Sequence, residues 1–195
     1  MYIESIRAEF GELHHLEYHC KRIRRSVGAK NCDLILSELV GFANQLPEAR
    51  SKFRFVYNDC GILEYSVTPY QLPRITSLRM IEGGEIDYSL KYARREELNA
   101  LFALRGSCDD VLICKKGFLT DTSFCNVVVE TPSGELLTPL HPLLSGTARQ
   151  RLLDRGVIRE APIDRNILHN CERIRLVNAM IDLEDEIYID RSHIL

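Results

Sequence analysis

Three groups of residues in this chain have the types and spacing to do chemistry. The first is Gly117-Phe-Leu-Thr-Asp-Thr-Ser-Phe-Cys-Asn126, set between the apolar runs Asp110-Val-Leu-Ile-Cys114 and Val127-Val-Val129. Those runs are rich in β-branched residues and bounded by Gly or charge, so both are expected as buried strands. Asp, Thr, Ser and Asn carried between buried strands must be hydrogen-bonded, and a bound ligand is one natural partner. The second group is Leu144-Ser-Gly-Thr-Ala-Arg149, a helix start with small residues at its mouth. Free backbone N–H groups and the positive end of the helix dipole favour a phosphate there, and glycine allows close approach. The same residues also read as a plain helix start after Pro142. The third is Lys91, which follows a glycine-rich junction and precedes a helical pattern. Alone it reads as a surface charge; its functional reading depends on partners elsewhere in the chain.

Other patterns exclude chemistry. His15-Leu-Glu-Tyr-His19 is not HExxH, and its HxE is not followed by Pro-Cys-x-x-Cys, so no zinc protease or zinc deaminase site is expected. Walker, GxGxxG and nucleophile-elbow motifs are absent. The arginines of His19-Cys-Lys-Arg-Ile-Arg-Arg-Ser26 line a wet helix face, or one reaches an anion bidentately.

The elements that must position these residues follow from periodicity. The 195 residues are 45% hydrophobic and 27% charged, which suits one globular domain or two small ones. A formal charge of -3 gives no reason to expect nucleic acid, and neither a membrane span nor a signal peptide is apparent. The seven cysteines include no CxxC pair and are expected as reduced thiols of a cytoplasmic protein, with no metal site. A strand is expected over Tyr2–Glu9, a helix over Leu16–Ala29 with Leu16, Ile23 and Val27 on one face, and a second helix over Leu34–Gln45 capped by Asp33, with Leu36, Leu39, Val40 and Ala43 inward. A hairpin follows across Asp59-Cys60-Gly61, then a strand over Ile75–Ile81. The spacing predicts an α+β fold with a small domain over 1–82, a linker over 83–93 that carries Lys91, and a strand-rich domain over 94–195. In the latter, helices are expected over Arg94–Leu104 and Gly146–Arg155, with strands near 110–114, 123–130, 134–138, 157–163, 173–177 and 186–190.

Leu119-Thr-Asp-Thr-Ser-Phe-Cys-Asn126 resembles the "T-E-x-x-x-x-N" strand of class IV pyridoxal-phosphate enzymes. Leu144-Ser-Gly-Thr-Ala-Arg149 resembles their "L-x-G-I-T-R" phosphate turn, His19-Cys-Lys-Arg22 with Ser26 their "H-x-x-R-L-x-x-S" helix, and Glu4-Ser-Ile6 their opening "E-T-I". Four matches in the right order carry more weight than any one. The resemblance implies a shortened two-domain fold of the D-amino-acid-aminotransferase type (fold type IV), with the cofactor between the halves and a homodimer. It implies that Lys91 holds pyridoxal 5'-phosphate covalently and that Asp121, in place of the family's Glu, pairs with the pyridine nitrogen. It further implies that Arg22 and the backbone of Thr147 and Ala148 hold the phosphate, that Leu144 and Gly146 shape the turn, and that Cys125 and Asn126 lie beside the ring on the same strand as Asp121. Asn178-Ala179-Met180 resembles the "N-A-L/M" of 4-amino-4-deoxychorismate lyase, near phosphate and substrate carboxylate.

The residue types suit that chemistry. Only lysine offers a nucleophilic amine on a flexible stem, and a carboxylate at the ring nitrogen keeps the ring cationic and electron-withdrawing. The implied activity is that of a lyase releasing pyruvate from 4-amino-4-deoxychorismate to leave 4-aminobenzoate, as in folate biosynthesis. The alternatives are an aminotransferase for D- or branched-chain amino acids and a catalytically silent relative. The chain departs from the pattern at Asp121, one methylene short, at Ala148 in place of Thr, and at Asn99, eight residues past Lys91 where the family often has an Asn three past its lysine.

Overall fold

The computed structural model describes residues 1–42 and 46–195 and divides into two compact units. The first comprises Met1–Gln71 with Leu90–Arg94; the second comprises Leu72–Ser89 with Arg95–Leu195.

The first unit is one antiparallel sheet of four strands in the order β2-β1-β3-β4, with two helices. Its strands are β1 (Tyr2–Glu9), β2 (Glu12–Leu13), β3 (Ser51–Asn58) and β4 (Gly61–Pro69). Alternation along β1 and β3 sends Ile6, Ala8, Phe53, Phe55 and Tyr57 to one face, where they are buried with Ile23, Val27, Cys32, Ile35 and Leu39 of the helices. The helices are α1 (Leu16–Val27) and α2 (Ala29–Val40). The expected gap between them shrinks to Gly28 alone. Gly28 sits at φ 80, ψ 169, a region open essentially to glycine, so one residue suffices to break the helix. Asp33 is consequently inside α2, exposed, and does not cap it; Gly28 stands at the N-cap and no side chain caps the end. Val40, expected inward, is 74% exposed. Ala43 and Gln45, expected at the end of this helix, lie outside the described residues.

The second unit is built on an eight-stranded sheet containing the path β10-β9-β8-β7-β6-β5, with β11 paired to β8 and to β12. Its strands are β5 (Leu78–Glu82), β6 (Asp110–Lys115), β7 (Phe118–Thr122), β8 (Asn126–Glu130), β9 (Leu136–Pro139), β10 (Arg159–Ala161), β11 (Arg173–Val177) and β12 (Tyr188–Asp190). Its helices are α3 (Glu96–Ala103), α4 (Thr147–Asp154) and the short α5 (Arg165–His169), the last capped by the Asp164 carboxylate. β6 and β8 are almost wholly buried, as their continuous apolar runs require.

The boundary differs from the one expected. β5 was placed with the first half on sequence order, but it pairs in parallel with β6, Leu78 opposite Asp110. Parallel strands need a long crossover, and residues 83–109 supply it. Within that crossover Leu90–Arg94 clusters with the first unit: Ile3 N–H donates to Lys91 C=O at 2.9 Å, and Ala93 N–H donates to Met1 C=O at 3.2 Å. Among the described residues no helix is long and apolar enough to cross a membrane.

Candidate functional site

In the second unit the polar insert folds as a hairpin rather than one strand. Asp121 lies near the end of β7 and Asn126 opens β8, and the two are direct register partners across the antiparallel pair. Cys125 precedes β8 in the tight turn 123–125. The expectation that Asp121, Cys125 and Asn126 share a strand is therefore corrected: five residues of spacing suffice for a reversal, which Thr122 supports by accepting from Cys125 N–H at 3.1 Å.

The turn brings the acid and the amide together. Asn126 Nδ2 donates to Asp121 Oδ1 at 2.7 Å and to Leu144 C=O at 2.8 Å, and Leu144 N–H donates to Asp121 Oδ2 at 2.9 Å. Asp121, Asn126 and Leu144 thus form a closed ring of hydrogen bonds tying the hairpin to the turn before α4. Asp121 is 4% exposed. Burial pushes its carboxyl up to about 6, against the downward pull of Leu144 N–H, the Asn126 amide and the Arg149 charge.

Gly146 is the N-cap of α4 and supplies no capping side chain. A Cβ there would come within 1.9 Å of Asn126 Oδ1, so glycine lets the turn close on the hairpin with Asn126 in this position. The first N–H groups of α4, on the buried residues Thr147 and Ala148, are of the kind a helix cannot satisfy internally. Their neighbour Arg149 is buried and donates to Pro139 C=O and to Glu160. Asn178, half-buried after β11, donates to Cys125 Sγ at 3.1 Å and accepts from Met180 N–H at 2.7 Å. Asn178, with Ala179 next in sequence, is thereby held against the same turn as Cys125.

The remaining expected residues lie in the first unit. Arg22, on α1, is 4% exposed and donates through Nε at 2.7 Å and Nη2 at 2.5 Å to the two oxygens of Glu4. His19 Nδ1 lies 2.7 Å from Glu4 Oε2. Burial would raise the Glu4 carboxyl, but Arg22 and His19 together hold it down at about 2. Burial lowers His19, Glu4 opposes this, and the charges of Arg22 and Lys91 add to the lowering. Arg22 was expected to meet an anion; a fully buried carboxylate facing it, and the part of His19, were not foreseen. The signal was present: period two puts Glu4 on the same face as Ile6 and Ala8, where an acid must find a partner.

This layered arrangement of sheet and helix is that of the fold-type-IV pyridoxal-phosphate enzymes. An uncharacterized protein of Haemophilus influenzae is 31% identical over 182 residues, covering 91% of this chain and 96% of that protein. A profile of amino-transferase class IV matches residues 91–183. The solved structure of a protein provisionally assigned as a 4-amino-4-deoxychorismate lyase, from Haemophilus somnus, superposes with a TM-score of 0.82 at 28% identity, covering 93% of this chain and 96% of that one. The pyridoxal-phosphate-bound form of a hypothetical aminotransferase from Mycobacterium tuberculosis superposes with a TM-score of 0.73 at 20% identity, over 92% of this chain and 77% of that one. The chain belongs to the class IV amino-transferase family of enzymes.

Proposed function

We propose that the protein is a pyridoxal-phosphate-dependent lyase that releases pyruvate from 4-amino-4-deoxychorismate and leaves 4-aminobenzoate. The observation that carries the cofactor reading is the buried Asp121, held by Asn126 and Leu144 with its carboxyl raised to about 6. A buried acid in that state gains most from a cationic neighbour, and a protonated ring nitrogen is one. The donor sets fit the rest of the group. The second unit offers an uncapped helix start at Gly146-Thr147-Ala148, suited to a phosphate. The first unit offers the amine of Lys91 and the guanidinium of Arg22.

When bound, the cofactor supplies an electron sink for a carbanion at the substrate carbon bearing the amine. The chain's own residues do the remainder. Lys91 would hold the cofactor covalently, and its amine nitrogen would carry the proton at the substrate carbon. Asp121 keeps the ring nitrogen protonated, and Asn126 keeps Asp121 in place. Arg22 and the N–H groups of Thr147 and Ala148 hold the phosphate. Leu144 and Gly146 shape the turn, and Cys125, Asn178 and Ala179 border the substrate side.

The lean toward a lyase rests on Asn178-Ala179-Met180 and on the likeness to the Haemophilus somnus protein, whose length this chain nearly spans. The competing reading is acceptor-dependent transfer of an amino group, favoured by the family's name and by the Mycobacterium tuberculosis structure. The homodimer and the cytoplasmic setting belong to the same proposal. Two measurements test it. Borohydride treatment of protein mixed with pyridoxal phosphate should leave the cofactor's mass on the peptide containing Lys91, and Lys91→Ala should carry none; no labelled peptide from the wild type sinks the cofactor reading. Purified protein given 4-amino-4-deoxychorismate and no keto acid should release pyruvate; amino transfer to a keto acid without that release assigns an aminotransferase instead.

A further inference from the structure

We propose that Glu4 is a positioning residue whose buried carboxylate sets the direction of the Arg22 guanidinium, and through it the strength with which the chain grips a phosphate monoester. The proposal rests on the pyridoxal-phosphate reading above.

Glu4 is fully buried on the inward face of β1, between the apolar side chains of the first core. An unpaired carboxylate there would cost several kcal/mol. Three side-chain contacts satisfy it: Arg22 Nε on one oxygen, and Arg22 Nη2 and His19 Nδ1 on the other. The two-point fork fixes the plane of the guanidinium as well as its distance. His19 stands one turn before Arg22 on α1, and its Nδ1 shares the second oxygen with Arg22 Nη2. An ionised Glu4 can only accept, so His19 Nδ1 carries the proton of that bond. The carboxylate therefore cannot turn without breaking contacts to two residues of one helix.

The same strand also fixes the lysine. Lys91 C=O accepts from Ile3 N–H, the residue before Glu4, and Tyr2 bridges to Tyr92. β1 thus sets the backbone position of the amine-bearing segment and, through Glu4, the direction of the guanidinium.

Charge alone predicts the opposite of positioning. Replacing Glu4 by a neutral residue removes a negative charge that faces Arg22, which by Coulomb attraction would tighten an anion. Loss of direction would weaken it. The experiment is equilibrium dialysis of folded wild-type and Glu4→Gln protein against pyridoxal phosphate and, separately, pyridoxal, which lacks the phosphate. Positioning predicts that Glu4→Gln weakens pyridoxal phosphate by about tenfold or more, the scale of one charge-assisted hydrogen bond, and pyridoxal by less than about twofold. Glu4→Asp, which keeps the charge, should fall between. Unchanged or tighter binding of the phosphate ester in Glu4→Gln, or equal loss for both ligands, overturns the proposal. If Glu4→Gln does not fold, His19→Leu replaces it: the same phosphate-selective loss is expected, and its absence overturns the proposal. Wild-type protein that binds neither ligand sinks the cofactor reading itself, an outcome distinct from all of these.

Discussion

Asp121 accepts hydrogen bonds from one amide side chain and backbone N–H, whereas Glu4 accepts from a guanidinium and an imidazole. The difference in donors decides which way each buried acid moves. For Asp121, burial wins and the carboxyl rises from 3.8 to about 6. A raised acid binds its proton more tightly in the folded state, so its contribution to stability is full below about 3.8 and is lost as pH rises through about 6. Asp121→Asn should remove that slope. The urea midpoint of the wild type relative to the variant should fall between pH 4 and pH 7, by the equivalent of about 3 kcal/mol. A constant difference across that range would show that Asp121 does not titrate there. Saturating pyridoxal phosphate should shrink the slope, because a cation beside the carboxylate favours its ionised form.

Two elements meet at Gly146: the β7–β8 hairpin, through Asn126, and the start of α4. Gly146→Ala puts a methyl where Asn126 Oδ1 lies, 1.9 Å from its ideal position. Either Asn126 rotates and releases Asp121, or the α4 turn shifts and moves the N–H groups of Thr147 and Ala148. Both cost about 1–3 kcal/mol, the usual range for overpacking. In an Asn126→Ala background the obstacle is gone, so the glycine substitution should be much less costly. A double-mutant cycle in urea should give a coupling of about 1 kcal/mol or more; additive effects would mean that the two elements do not press on each other. At Gly28 the reason for glycine is conformational, since a Cβ there would meet nothing within 4 Å. Gly28→Ala should therefore destabilise the α1–α2 corner through φ alone, by about 1 kcal/mol.

Each of the two units carries its own core and its own buried acid, so the molecule should respond unevenly to pH. The Glu4 carboxyl is held at about 2, so its contribution is present above 4.5 and is lost as pH falls towards 2. That of Asp121 runs the other way. On acidification the first unit should loosen before the second. Hydrogen exchange near pH 3 should show β1 and β3 amides losing protection relative to those of β6 and β8. Equal loss in both would argue that the chain opens as one cooperative body.

Much of this was legible in the residues. The strands β1, β3, β4, β6, β8 and β11, the helices α1, α3 and α4, and the motifs around Asp121, Gly146 and Arg22 are local patterns of period, turn chemistry and order, which a chain carries whatever it packs against. The partner choices are not local. Periodicity in Leu78–Glu82 says strand but not which sheet, and only pairing with β6 assigned it to the second unit. A spacing of five residues between Asp121 and Asn126 fits one strand or a reversal, and the sheet register decided for the reversal. Glu4 met Arg22 across eighteen residues, and Asp121 was lifted by burial that no sequence window measures. Contacts between distant positions, and the water they exclude, exist only once the chain has folded; they determined how the acids and bases already visible in the sequence are paired and charged.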